Sequence, residues 1–186
     1  MRKIIVPAGL IALAFAVFLL LRRPPVQVDA APTVDKPEAA PEFASGTKWL
    51  QSKPLKLASL RGKVVVVHFW TFGCINCIHN YPAYKAWQEK YAGKGVTIIG
   101  IHTPEFEHEA DVKQILARAK KHGLKFPIAV DNDAKNWKNW KNRYWPSIYL
   151  VDKKGKIRYR WEGELDSAKT KGAKLMRQAI EKLLAE

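Results

Sequence analysis

Cys74-Ile75-Asn76-Cys77 brings together the only two cysteines of the 186-residue chain. Two sulfurs at this spacing on the first turn of a helix can open and close a disulfide. The attacking species in that exchange is the thiolate, which a helix N-terminus favours through its unpaired amides and dipole. Cys74 is therefore the expected exposed nucleophile, and Cys77, nearly one turn later, the resolving thiol. A single pair excludes a disulfide-stapled scaffold and a zinc cage built of cysteines alone. A mixed zinc site would draw on Cys74, Cys77, His79, His102 and His108. It needs four converging ligands, and His79 lies on roughly the opposite helix face from Cys77. Attached c-type haem requires His directly after Cys77, where the chain has Ile78. Disulfide exchange needs no cofactor, because the electrons reside in the two sulfurs.

The elements that must position this pair follow from hydrophobic periodicity. Val64–Phe69 (VVVVHF) is a continuous β-branched run, the pattern of a strand buried on both faces. The dithiol stands at the turn from this strand into a helix expected over Cys74–Tyr91, which Gly93 and Gly95 end. Val96–Ile101 and Phe126–Val130 read as further strands, with a helix over Glu109–His122 between them. That helix has acids Glu105, Glu107, Glu109 and Asp111 near its start and Arg118, Lys120 and Lys121 near its end, an arrangement that suits the helix dipole. Ala134–Arg143 is helical, with Trp137, Trp140 and Tyr144 on one stripe, a pattern more often core than docking surface. Ser147–Val151 and Lys156–Trp161 form a hairpin across Asp152–Gly155, and Asp166–Leu184 closes the chain as a helix. Alternating strands and helices predict an α/β sheet with helices on both faces.

Against that frame, Trp70-Thr71-Phe72-Gly73-Cys74-Ile75-Asn76-Cys77 resembles the active-site segment of the thioredoxin superfamily. The likeness, from about Trp49 to Gly163, is to its membrane-anchored TlpA-like group, which includes the thioredoxin-like domain of DipZ proteins. Leu60-Arg61-Gly62-Lys63 looks like that group's lead-in, and residues 105–130 like its central insertion. The resemblance implies a thioredoxin fold with a mixed sheet and thiol–disulfide oxidoreductase activity on protein disulfides. Electrons would come from a membrane thiol-transfer partner. Pro82 matches the proline that kinks the active-site helix. Trp145-Pro146-Ser147 looks like the cis-proline loop that faces the dithiol, which in the family pairs with the substrate backbone and guards the cysteines against metal.

The departures are informative. Where thioredoxins bury an acid on the strand, this chain has His68; it is either a neutral core histidine or the group that accepts and relays the Cys77 proton. Gly73 replaces the Trp that precedes the dithiol in thioredoxin. Thr71-Phe72-Gly73-Cys74 resembles the Thr-x-x-Cys of peroxiredoxins, so a thiol-dependent peroxidase is the alternative, although Val67 stands where that family has proline.

The rest of the chain concerns location. Charged residues at 26% and apolar ones at 47% exclude a disordered chain. Ile4 to Leu21 is an uncharged run long enough for ~27 Å of helix, flanked by Arg2, Lys3, Arg22 and Arg23. Residues 1–23 are expected to form an uncleaved N-terminal anchor in the inner membrane, with the catalytic domain facing the periplasm or cell exterior. Residues 24–44, rich in Pro and Ala, are an expected semi-rigid linker, and residues 45–186 the domain. The net charge is +15, and residues 45–186 carry +14 of it. Basic runs stand at Lys153, Lys154, Lys156, Arg158 and Arg160, and at Lys169, Lys171, Lys174 and Arg177. No nucleic-acid motif accompanies them, so no nucleic acid is expected as a partner. A basic module that binds anionic lipid or an acidic partner is the third reading.

Overall fold

The computed structural model describes residues 31–167 and 170–186. The expected anchor, residues 1–23, lies outside them, as do the start of the linker and Lys169. Among the described residues no helix is long and apolar enough to cross a membrane.

Strands β1 (Lys48–Leu50), β2 (Val64–Trp70), β3 (Val96–His102), β4 (Ile128–Val130), β5 (Ser147–Val151) and β6 (Ile157–Glu162) form one mixed sheet in the order β1-β4-β3-β2-β5-β6. β2, β3 and β4 run parallel to their neighbours among themselves; β5, β6 and β1 pair antiparallel. Side chains alternate across a strand, so the wholly buried run of β2 feeds two cores. Val64, Val66 and Trp70 face one, with α1 (Ile75–Tyr91), α2 (Val112–Lys121) and α4 (Gly172–Ala185). Val65, Val67 and Phe69 face the other, beside Phe43, Leu57 and Trp140. Among the described residues the second face carries the short α3 (Lys135–Asn139), a 3-10 turn at Leu57–Leu60 and the strap of residues 31–44. Helices thus lie on both faces of a mixed α/β sheet, as the resemblance implies, with the heavier layer on one.

Three sequence expectations are corrected. The described part of the linker, residues 31–44, is not a free spacer. It runs along the open edge of β6, where Val34 and Ile157 donate N–H bonds to Arg158 and Glu38 carbonyls at 3.1 and 2.9 Å, and Phe43 is buried. An edge strand presents unpaired backbone groups, and this segment satisfies them; the folded unit therefore begins by residue 31. The helix expected from Glu109 starts at Val112, because Asp111 caps it by accepting from Lys113 and Gln114 N–H; Glu107–Ala110 is a 3-10 turn. The C-terminal helix begins at Gly172 rather than Asp166, after β7 (Asp166–Ser167) and β8 (Thr170–Lys171).

Candidate active site

β2 ends on Trp70, and the chain turns through Thr71-Phe72-Gly73 into α1, placing Cys74 at the N-cap rather than inside the helix. Cys74 Sγ accepts the Cys77 N–H at 3.1 Å, one of the amides a helix start leaves unpaired. The two cysteines are joined as a disulfide, Cα atoms 5.3 Å apart. Cys74 is part-exposed and Cys77 fully buried, the asymmetry an attacking and a resolving thiol require. Pro82 lies within α1 and has no N–H to offer the preceding turn.

Trp145–Pro146 is a cis peptide. Trp145 donates its indole N–H to the Thr103 carbonyl at 3.0 Å and packs on Trp137 with centroids 4.0 Å apart. Asn142 holds the same loop by donating to the Tyr144 carbonyl at 3.1 Å, and Tyr149 donates to Asn142 Oδ1 at 2.8 Å. A groove of about 500 Å³ lies between the two loops, lined by Cys74, Ile75, Asn76, Glu105, Arg143, Tyr144 and Trp145. Ile75, Tyr144 and Phe106 are large apolar side chains left exposed at this end of the molecule.

The loop before Cys74 is held from below by two buried groups. His102, at the end of β3, takes the Phe72 N–H at 3.4 Å on Nε2 and lies 3.3 Å from Thr71 Oγ1. Its ring stacks on Phe72. Burial pushes its pKa down to about 4, against a smaller upward pull from Glu109, so the ring is neutral near pH 7. Glu109 accepts the Gly73 N–H at 3.0 Å, and its other oxygen accepts from Glu105 and Phe106 at 2.7 and 3.1 Å. An added Cβ at Gly73 would collide with Glu109 Oε1, a physical reason for glycine where thioredoxin has Trp.

Of the sequence-derived candidates, Cys74 is bonded to Cys77 and lines the same groove as Trp145, the residue before Pro146. His68 does not stand among them. It lies fully buried in mid-strand, stacked on Tyr84 at 4.1 Å and edge-on to Phe126 at 4.8 Å. Among the described residues neither ring nitrogen has a hydrogen-bond partner, and burial pushes its pKa down to about 3. Thr71, the peroxidase-like threonine, is buried against His102. Of the potential zinc ligands, His79 pairs with Glu164 at 2.9 Å on the outer side of α1. Among the described residues no three His, Cys, Asp or Glu converge to hold a metal. Sequence reasoning missed Glu109, counted only as an acid near a helix start. The glycine directly before the dithiol was its one signal, since it marks a close approach to backbone.

Comparison with known proteins places this geometry. Residues 37–160 match the AhpC/TSA family. DipZ of Mycobacterium tuberculosis is 40% identical over 141 residues, which cover 74% of this chain and 20% of that protein. The chain therefore spans only a fifth of its DipZ relative. The thiol-disulfide oxidoreductase ResA of Bacillus cereus is 32% identical over 123 residues, 66% of this chain and 68% of that protein. A crystallised thiol-disulfide isomerase from Corynebacterium glutamicum superposes with a TM-score of 0.66 at 29% identity, covering 79% of this chain and 97% of that one.

Proposed function

The chain belongs to the AhpC/TSA family and is a thioredoxin-like thiol–disulfide oxidoreductase, and from that premise we propose that it reduces disulfides of exported proteins. The observation that carries this reading is the part-exposed Cys74 at a helix N-cap, with a buried Cys77 beneath it and the cis-proline loop across the groove. The Cys74 thiolate attacks one sulfur of a client disulfide; the other client sulfur leaves as a thiolate and takes up a proton. Cys77, deprotonated, then attacks Cys74 Sγ and expels the second client thiolate. Two electrons pass to the client, and the Cys74–Cys77 disulfide seen here remains. The Pro146 loop presents the client backbone to Cys74.

Residues 1–23 anchor the domain in the inner membrane with the catalytic end facing the periplasm or exterior, where a membrane thiol-transfer partner returns the electrons. Positive charge from side chains such as Lys154, Lys156 and Lys174, exposed here, supports contact with anionic lipid. Other members of the basic runs are already paired: Arg158 with Asp152 and Glu186, Arg160 with Glu162, Arg177 with Glu181.

Cys77→Ser is expected to leave client proteins covalently held on Cys74, identifiable after purification from intact cells. If Cys74→Ser captured the same clients equally well, the assignment of attacking and resolving thiols would be wrong. Stopped-flow oxidation of the reduced dithiol by hydrogen peroxide separates the peroxidase alternative: a rate outrunning that with protein disulfides would favour it. Protease accessibility on intact cells tests the side of the membrane. Vesicles with and without anionic lipid test the basic surface.

A further inference from the structure

Glu109 is 1% exposed, yet its carboxylate makes no ion pair among the described residues. It accepts three backbone N–H bonds and donates none, the capacity of an ionised carboxylate. The division of those bonds matters. Oε1 serves Gly73, directly before the nucleophile; Oε2 serves Glu105 and Phe106 in the insertion. One side chain therefore ties the active-site loop to the segment that lines the far wall of the groove. The Gly73 amide belongs to an exposed residue that water could serve, so solvent exclusion does not require this bond.

We infer that Glu109 is a positioning residue for the dithiol: it fixes the backbone ahead of Cys74, and its negative charge opposes the Cys74 thiolate. A like charge nearby disfavours the ionised form of a thiol. The reduced pair gains its stability over the disulfide partly from that thiolate, so a carboxylate here makes the dithiol the stronger reductant. This rests on the thiol–disulfide exchange reading and gives it a physical reason for the reducing direction. The other charged or titratable groups about the loop are His102 on β3, Glu105 and His108 in the insertion, Arg118 on α2 over the Phe72 ring, and Arg143 across the groove.

The full chain, wild type and Glu109→Gln, is equilibrated at pH 7 against reduced and oxidised glutathione, and the dithiol fraction is read by alkylation and mass. Gln keeps the shape and one acceptor oxygen but removes the charge. The equilibrium is expected to move about tenfold toward the reduced form, ~30 mV for a two-electron couple. In parallel, the pH profile of Cys74 alkylation by iodoacetamide is expected to shift to lower pH. Gly73→Ala, whose Cβ pushes Glu109 Oε1 aside, should shift both readouts the same way, providing a second route should Glu109→Gln fold poorly. Equilibria within twofold of wild type and unmoved alkylation profiles, with circular dichroism unchanged, would overturn the inference. Failure of the wild type to exchange with glutathione or to capture clients would instead overturn the exchange reading. The alkylation profile needs no disulfide substrate and judges Glu109 in that case too.

Discussion

Two buried histidines stand on neighbouring strands of the same sheet, and they do different work. His68, opposite Gly100, is stacked on Tyr84 and edge-on to Phe126, with both nitrogens unpartnered among the described residues. His102, opposite Trp70, meets Thr71 and the Phe72 amide where the strands end. Both are neutral near pH 7, with burial as the leading cause. Burial and residue type are shared; what differs is whether the strand position looks onto a loop whose backbone needs partners. In mid-sheet the ladder has already used every amide, so His68 finds only ring faces. At the strand ends the chain must turn, and a ring nitrogen there becomes part of the site.

Acid separates neither histidine from the other but tests both together, with the largest effect. Their folded pKa values, about 3 and about 4, lie below the ordinary value of 6.5. The unfolded chain therefore binds more protons as pH falls, and stability present above pH 6.5 is lost progressively below it. By pH 5 the loss is about 2 kcal/mol for each ring. Urea titrations from pH 7.5 to 5 should show it, and His68→Leu should remove about half of the slope.

His102→Ala is expected to cost about 3 kcal/mol, since it leaves a cavity beside Phe72 and strips a partner from two active-site polar groups. It should also slow reduction of a model disulfide. An equal cost from His68→Leu would erase the distinction between the two positions. Thr71→Val should cost about 1 kcal/mol by leaving His102 Nε2 one partner short; denaturant midpoints would detect it. His68→Leu itself is expected within ~1 kcal/mol of wild type at pH 7.5, because the replaced ring has no hydrogen bond to lose. Its exchange rate should keep the wild-type pH profile. A flattened profile would give His68 the proton-relay role with Cys77.

Much of this is legible in the sequence. The VVVVHF run announced a strand buried on both faces because no solvent face was spelled into it. The CxxC at its end announced a helix start because thiolate chemistry needs one. The cis-proline loop was legible only through resemblance, since an X–Pro bond carries no local mark of its isomer. The strap of residues 31–44 was misread as spacer because its Pro, Ala and acidic composition describes a chain without a partner, and the open edge of β6 is such a partner. Glu109 was misread for the related reason that acids near a helix start are ordinarily solvated.

Local chemistry was thus the sequence's own contribution: which thiols, on which turn, after which strand. Spacing along a chain governs groups within a helical turn of each other, and that suffices for Cys74 and Cys77. The tertiary structure alone decided which distant groups converge on them. Glu109 lies 36 residues from Gly73 and His102 lies 30 from Phe72, and contacts at that separation depend on how β2, β3 and the insertion pack, not on any pattern along the chain.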